Sequence, residues 1–284
     1  TTMLKGINIA KMLRLINKYP DYTYAGLIET IKKNFAISDL ILGSGSEDLI
    51  IRTNFILRKN RGGIGICLPN FYRIKETTGN YIKIYTSYDL EANLINLNEI
   101  SNQISNKIKS LWISNPNPMI GKVCKRDQLI SLIKNYKKIL FIVDEAAIDF
   151  IKHSQKYSVI DIAQKIDNLI VIRSFSKLYG IAGLRVGFAT GKAEILKDIK
   201  EIGPTFPITG VAEYFVKNLL KKKVVINKIR KKINNHKILL ENLLSENKNI
   251  VVSDSVTNCL FFGHKNKNIF SELLKLNILA LNLN

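Results

Sequence analysis

The sequence has few cysteines, few acidic residues relative to basic ones, and no long apolar run. Cys67, Cys124 and Cys259 stand far apart and form no Cys-x-x-Cys pair, so their spacing encodes neither a disulfide framework nor a zinc site. We expect reduced and mostly buried thiols, and no bound metal. No uncharged apolar run approaches the ~20 residues that cross a bilayer, and residues 1–12 lack the apolar core of a signal peptide. These absences predict a cytoplasmic protein with no membrane partner.

Acidic residues are outnumbered, because 43 Lys and Arg stand against 23 Asp and Glu, for a net charge of +20. A strongly basic domain suggests nucleic-acid binding. Here the lysines are spread over the whole length, and in the densest stretch, residues 221–232, they alternate with Val and Ile as on the solvated face of an amphipathic helix. We therefore predict no nucleic-acid partner. The charge should still concentrate anionic ligands, phosphorylated metabolites included.

Hydrophobic residues make up 46% and charged residues 23% of the 284 positions, which is typical of a globular protein with one large domain or two ordinary ones. Strand-like apolar runs alternate with helix-length segments such as residues 25–35 and 47–59. The runs lie at residues 39–42, 64–68, 81–85, 110–113, 139–143, 169–172 and 186–189. This alternation predicts an α/β fold, a three-layer sandwich with a mostly parallel sheet between helices.

A breaker cluster at residues 203–207 separates this part from a different pattern. A long helical stretch from about 209 to 245 is followed by strand-like runs at 250–252 and 258–262 and a last helix near 268–276. We therefore predict a large domain at 25–208 and a small α+β domain formed by 1–24 and 209–284.

Four polar loops follow predicted strands, where ligands bind in sheets of this kind. Gly43–Asp48 is a glycine-rich turn that opens a helix, and its free N–H groups favour a phosphate, although many such turns bind none. Asn115–Gly121 sets two asparagines among prolines, which suits a plain turn as well as a binding loop. Asp144 and Glu145 end an apolar strand, where a carboxylate needs a cationic partner unless it only caps a helix.

The fourth loop, Arg173–Phe188, gives the strongest signal for chemistry. Its two hydroxyls and one guanidinium suit a phosphate, and its lysine is a potential nucleophile. The residues concerned are Ser174, Ser176, Lys177 and Arg185.

The order and spacing of the four loops resemble the fold-type I pyridoxal-phosphate enzymes of aminotransferase class I/II, nearest the histidinol-phosphate aminotransferase and threonine-phosphate decarboxylase branch. The resemblance begins at Lys18-Tyr19-Pro20-Asp21, which is similar to a Tyr-Pro-Asp segment of that branch, and runs to Pro204–Pro207. It implies the fold-type I transferase fold and pyridoxal 5'-phosphate as the cofactor. It also implies a homodimer with shared sites, in which Tyr19 reaches the cofactor phosphate of the neighbouring subunit.

The resemblance assigns a role to each matching residue. Lys177 would form a Schiff base with the cofactor aldehyde and move the proton at the substrate carbon, and Asp144 would keep the pyridine nitrogen protonated. Phe71 or Tyr72 would stack on the ring, and Asn117 would donate to the ring hydroxyl. The phosphate would be held by the backbone of Gly45, Ser46 and Glu47 and by Ser174, Ser176 and Arg185.

The sequence departs from the family pattern in four places, one of which is a compressed segment after Pro69 that leaves both Phe71 and Tyr72 open as the stacking ring. Asn117-Pro118 is followed by Met119-Ile120-Gly121 where the family has a longer loop, which leaves Asn115 as an alternative to Asn117. Ala147 stands where a tyrosine usually bonds the ring oxygen. The carboxy-terminal arginines that clamp the substrate's carboxylate or phosphate have no counterpart; Ala280 falls near one such position, and the small domain looks truncated at its carboxy terminus.

The resemblance implies a biosynthetic aminotransferase that acts on a small, phosphorylated or otherwise anionic amino donor and a keto acceptor. A decarboxylase of a phosphorylated amino acid is the alternative, because the two reactions differ only in which bond of the substrate's α-carbon is perpendicular to the ring, and Asp144–Phe150 resembles the decarboxylases. A catalytically impaired pyridoxal-phosphate-binding module is a second alternative. No DNA-reading domain precedes the loops, which argues against a transcription regulator.

Overall fold

A seven-stranded sheet forms the centre of the computed structural model, which describes residues 7–60, 62–87 and 93–282. Its strands are β1 (Ile41–Ser44), β2 (Gly63–Leu68), β3 (Ile82–Tyr85), β4 (Ile108–Ser114), β5 (Leu140–Asp144), β6 (Leu169–Ser174) and β7 (Val186–Thr190). The order across the sheet is β1-β7-β6-β5-β4-β2-β3. Strand β7 is antiparallel to both of its neighbours, whereas the other neighbouring pairs are parallel. The predicted mostly parallel sheet is confirmed.

Helices cover both faces of the sheet because its central strands are apolar on both sides. Even-numbered residues of β5 and β6 pack into one cluster with the helices at Gly45–Lys59 (α3) and Ala193–Glu201 (α7), and odd-numbered ones pack into a second cluster with the helices at Ala25–Phe35 (α2) and Arg126–Asn135 (α6). These helices complete the three predicted layers. The helices of this part are α1 (Ile9–Leu13), α2 (Ala25–Phe35), α3 (Gly45–Lys59), α4 (Tyr72–Thr78), α5 (Leu97–Gln103), α6 (Arg126–Asn135) and α7 (Ala193–Glu201).

The last part of the chain adds three helices and a two-stranded antiparallel sheet within the described residues. These elements are α8 (Gly210–Leu219), α9 (Lys223–Ser245), β8 (Ile250–Ser253), β9 (Phe261–His264) and α10 (Ile269–Lys275). The ends of the predicted small domain, residues 1–6 and 283–284, lie outside the described residues. The division at residues 24/25 and 208/209 stays a prediction.

Two predicted elements of this part differ in the structure. The helical stretch 209–245 is two helices, because α8 packs against α2 whereas α9 packs against β8. Strand β9 begins three residues later than predicted, because hydroxyl-to-backbone bonds at Ser255 and Thr257 hold the preceding segment in turns.

The lysines of the basic stretch at 221, 223, 228, 231 and 232 are exposed, as predicted. No helix of the described ranges has the length and apolar character needed to cross a bilayer.

Candidate active site

Four strands bring polar residues to one edge of the sheet. Because β1, β4, β5 and β6 run in the same direction, their carboxyl ends lie together, and the antiparallel strand β7 begins beside them. Three pairs of residues are neighbours in the strand register at this edge: Ser114 with Asp144, Ser174 with Gly187, and Ser44 with Val186. All four loops singled out in the sequence therefore begin or end at this edge.

The N-terminus of α3 forms one wall of a narrow cradle. Gly45 begins the helix at a φ of +78°, and the side chain of the N-cap residue Ser44 makes no capping bond, although the Ser44 N–H donates to Asp48 Oδ2 at 2.9 Å. A methyl group on Gly45 would lie 2.5 Å from Nη2 of Arg185, and one on Gly187 would lie 2.7 Å from the backbone of Gly45 and Ser46. Glycine at both positions therefore lets the backbone and the guanidinium come close together, with the free N–H groups of α3 facing the same space.

Two serines and an arginine complete this cradle. Arg185 Nη1 donates to Ser176 Oγ at 3.3 Å, and the Ser176 N–H donates to Ser174 Oγ at 3.1 Å. Both acids in the first turn of α3 are paired: Glu47 accepts from Arg73 Nε at 2.7 Å, and Asp48 accepts from Arg52 Nη2 at 2.7 Å. The N–H groups of a helix N-terminus, two hydroxyls and a guanidinium suit a phosphate dianion.

Asp144 is a buried carboxylate with one hydrogen bond from the described residues. It is 8% exposed, and its Oδ1 accepts from the Ala146 N–H at 3.0 Å. No described cation lies within ion-pair distance of it. Burial raises the pKa of Asp144 to about 6, although the Ala146 N–H and the charge of Lys177 both lower it. A buried acid of this kind can hold a cationic, proton-bearing nitrogen, which would offset its desolvation.

Lys177 is exposed in the loop that follows β6. Its charge lowers the pKa of the Asp144 carboxyl, so the two groups lie within electrostatic reach of each other. Cys67 and Cys124 are buried, as predicted, whereas Cys259 is exposed. Partial desolvation of the Cys259 thiol raises its pKa, and the charge of Lys177 opposes that rise. Nothing local in the sequence links residues 177 and 259.

The two asparagines of the second loop have different surroundings. Asn115 is wholly buried, and its side-chain amide bonds the backbone of Cys124 at 2.9 Å and of Tyr157 at 3.0 Å. Asn117 donates from Nδ2 to the carbonyl of Pro69 at 2.7 Å, which leaves its second amide N–H available. Asn117 therefore lies beside the segment that carries Phe71 and Tyr72. Asn115 instead stabilises the backbone around its own loop.

Phe71 and Tyr72 meet edge to face, with ring centroids 4.9 Å apart. Phe71 is packed against the cluster that contains α3, and its N–H donates to Asn70 Oδ1, which also accepts from Ser114 Oγ at 2.7 Å. Tyr72 is 53% exposed. Phe71 is thus the ring that is fixed to the carboxyl end of β4.

Tyr19 lies in a cavity of about 520 Å³ that contains none of the other predicted site residues. It is highly exposed, and its ring lies 5.0 Å from that of Phe206. A further cavity, of about 540 Å³, adjoins the asparagine loop at Met119 and also has Cys259, Lys267 and Ala280 in its wall. This cavity provides space for a ligand beside Cys259.

A family model described as "Aminotransferase class I and II" matches residues 3–282. The histidinol-phosphate aminotransferase of Pelagibacter ubique is 32% identical to this chain over 219 residues, which are 75% of this chain and 60% of that protein. The chain thus spans less than two thirds of that relative's length.

Two solved structures show the same fold. The histidinol-phosphate aminotransferase of Clostridium acetobutylicum superposes with a TM-score of 0.83 at 24% identity, over 98% of this chain and 84% of that one. The histidinol-phosphate aminotransferase of Sinorhizobium meliloti, in complex with pyridoxal-5'-phosphate, superposes with a TM-score of 0.83 at 16% identity. The match covers 96% of this chain and 77% of that one. The predicted fold-type I architecture is confirmed.

Proposed function

Because the chain belongs to the class I and II aminotransferases, we propose that it is a pyridoxal-phosphate-dependent transaminase of a phosphorylated amino compound. The convergence of a phosphate cradle, a buried acid and an exposed lysine at one sheet edge carries this proposal. Relatives named histidinol-phosphate aminotransferase make histidinol phosphate the first candidate donor. A keto acid would be the acceptor.

The residues of the site fit this cofactor. Asp144, buried and without an ion-pair partner among the described residues, would pair with the pyridine nitrogen, and Asn117 would donate its remaining N–H to the ring hydroxyl. Phe71, with Tyr72 at its edge, would stack on the ring. The phosphate would be held by the N–H groups of Gly45, Ser46 and Glu47 and by the side chains of Ser174, Ser176 and Arg185. When bound, pyridoxal phosphate supplies an aldehyde and an electron-accepting ring.

Lys177 and Asp144 have separate roles in the proposed proton transfer. Lys177 Nζ would hold the cofactor through its aldehyde and, once free, would act as the general base that takes the proton from the donor's Cα. Asp144, ionised beside the cationic ring nitrogen, would keep that nitrogen protonated. The narrow cradle around Gly45 keeps the phosphate still while these transfers take place.

A homodimer with shared sites belongs to the same proposal. The exposed ring of Tyr19, beside Phe206, would reach the cofactor phosphate of a second copy. The cytoplasmic location and a biosynthetic role remain part of this proposal.

The donor specificity can be measured in the half-reaction, without an acceptor, from the loss of the visible band of the bound cofactor. We expect histidinol phosphate to react with at least about a tenfold higher second-order rate constant than histidinol, which differs from it only by the phosphate. The advantage should shrink as salt rises, because the protein charge of +20 attracts anions at low ionic strength.

Glutamate, aspartate and threonine phosphate complete the panel of donors. Faster reaction of glutamate or aspartate than of any phosphorylated donor, with no salt effect, would contradict the proposed substrate class but not the transaminase. Release of carbon dioxide from threonine phosphate, without a keto acid, would identify a decarboxylase instead.

Gly45→Ala should weaken cofactor binding. The added methyl group would meet the Arg185 guanidinium at 2.5 Å and displace it from the phosphate cradle. We expect the Kd for pyridoxal phosphate to rise about tenfold or more, which corresponds to the loss of one charge-assisted contact. Fluorescence titration of the cofactor-free protein measures it.

Gly79→Ala is the matched control. Gly79 has a similar φ of +74°, and no described atom lies within 4 Å of an added methyl group. Both variants therefore place an alanine at a positive φ, but only Gly45→Ala brings a methyl group against Arg185, so Gly79→Ala should leave the Kd unchanged. Equal Kd values for the two variants would contradict the cradle at Gly45.

A further inference from the structure

A buried ion pair lies behind the site, at the ends of the same two strands. Glu145 follows Asp144 at the end of β5, and Arg173 precedes Ser174 at the end of β6. Both Nε and Nη2 of Arg173 lie 2.8 Å from Glu145 Oε2, and the two side chains are 4% and 0% exposed. This pair has no part in the cofactor contacts described above.

The pair and the site residues occupy opposite faces of the strands. Successive side chains of a strand alternate between faces, and odd-numbered residues of β5 and β6 pack towards α2 and α6. Glu145 and Arg173 continue that face, whereas Asp144 and Ser174 continue the face of α3 and α7. Glu145 is therefore joined by a peptide bond to Asp144, and Arg173 to Ser174. The ion pair restrains these two site residues from the opposite face of the sheet.

Both members of the pair are fixed by further hydrogen bonds. Glu145 accepts from Ser158 Oγ and from the Val159 N–H, each at 2.7 Å. Arg173 donates from Nη1 to Asp149 Oδ1 at 3.2 Å and from Nη2 to Ser158 Oγ at 2.9 Å. A rotation of either side chain would break several bonds at once, so the ends of β5 and β6 are held in one arrangement.

The same cluster reaches the lysine loop and helix α9. Tyr179, two residues after Lys177, is buried; burial and the Asp149 carboxylate raise its pKa, whereas Arg173 and Arg230 oppose that rise. Arg230, on α9, donates from Nε to the carbonyl of Asp149 at 2.6 Å. The cluster therefore connects the strand end that carries Asp144 with the loop that carries Lys177.

Buried ion pairs contribute little net stability, because desolvation offsets their attraction, and apolar residues of similar volume often replace them without loss. We propose that Arg173 is a positioning residue: through Glu145 and Asp149 it fixes the separation of Asp144 and Lys177. This role rests on the proposed function, since it takes these two residues to act on one bound cofactor.

Two variants separate positioning from stability. Arg173→Met leaves Glu145 buried without its cation, so we expect a lower Tm. Arg173→Met with Glu145→Gln removes both charges and keeps an acceptor for the Val159 N–H, so the Tm should recover towards that of the parent. We expect the double variant to keep kcat at least about tenfold below the parent with KM for the donor little changed. The visible band of its bound pyridoxal phosphate should be shifted or broadened.

Arg173→Lys provides a second test that keeps the charge. A lysine can pair with Glu145 but cannot bridge Glu145, Asp149 and Ser158 with a rigid planar group. We expect a kcat between those of the parent and the double variant. Should the double variant not fold, a parent-like kcat and band in Arg173→Lys would by itself overturn the positioning role.

Asn54→Ala is the control for general destabilisation. Asn54 is buried, accepts from Trp112 Nε1 at 2.9 Å and donates to Thr77 Oγ1 at 2.8 Å, away from the strand ends. Its loss should lower the Tm but leave kcat and the band within about twofold of the parent.

The outcomes distinguish the two proposals. A double variant with a recovered Tm and the kcat and band of the parent would overturn the positioning role and leave the proposed function standing. A parent protein that binds no pyridoxal phosphate would overturn the proposed function and this role together.

Discussion

Lys177→Ala should lose nearly all transaminase activity. In the proposed mechanism Lys177 supplies both the amine that carries the cofactor and the base at the donor's Cα, and loss of a positioned base alone costs about 10²–10⁴-fold in rate. We therefore expect kcat to fall by at least about 10³-fold. The variant should still bind pyridoxal phosphate through the cradle at Gly45 and Arg185, because those contacts do not involve Lys177.

Borohydride reduction and peptide mapping check the covalent part of this prediction. In the parent protein, reduction should fix the cofactor on the peptide that contains Lys177, and in Lys177→Ala no lysine should be labelled. Addition of a small primary amine should restore part of the lost rate if the missing group is a base. Lys197→Ala is the control, because Lys197 is 72% exposed on α7. Full activity in Lys177→Ala, or a label on another lysine, would refute the assignment.

Local pattern predicted most of the large sheet and the loops that meet at its edge. Apolar runs such as Phe141–Val143 and Leu169–Ile172 are long enough to form buried strands and are bounded by polar loops, so the alternation of strands and helices was visible in the sequence. The loops at Asp144 and Lys177 were found because serine, lysine and acidic residues at strand ends need partners. These signals depend on residues close together in the chain.

The parts that sequence missed depend on contacts between distant residues. Arg173 was seen only as the start of a loop, because its partner Glu145 lies 28 residues earlier and meets it through the β5–β6 pairing. Lys177 lowers the pKa of the Cys259 thiol, which lies near the far end of the chain and whose pKa desolvation raises. The break between α8 and α9 arises because the two helices pack on different partners. No periodicity within a single segment contains this information.

The choice between Asn115 and Asn117 also required the structure. Both asparagines follow β4 and precede a proline, so the sequence offers the same chemistry twice. The fold separates them, because Asn115 holds the backbone of the loop at Cys124, whereas Asn117 contacts Pro69 beside the aromatic pair. Both side chains are buried, so their hydrogen-bond partners, and not their spacing or burial, distinguish them.

Asp144→Asn should keep much of the cofactor binding but slow turnover by at least about 100-fold, because a neutral amide cannot hold a proton on the ring nitrogen. The side chain keeps its shape, and its oxygen can still accept from the Ala146 N–H. Steady-state kinetics and cofactor titration measure the two effects separately. Asp167→Asn is the control, since Asp167 is 84% exposed on the surface. A rate within about twofold of the parent would refute the role of Asp144.

The same substitution should stabilise the cofactor-free protein at neutral pH. Burial raises the pKa of Asp144 from 3.8 to about 6, so between these values the unfolded chain gives up a proton that the folded chain keeps, and stability falls as pH rises. Above pH 6 the folded protein bears a cost of about 3 kcal/mol, which Asp144→Asn lacks. We expect urea denaturation to show a more stable variant at pH 7 and no difference below about pH 4. Saturating pyridoxal phosphate should remove the advantage at pH 7, because the cationic ring nitrogen then offsets the buried charge. If the free energies of unfolding of the two proteins changed in parallel from pH 4 to pH 7, Asp144 would not be a desolvated carboxyl that a bound cation stabilises.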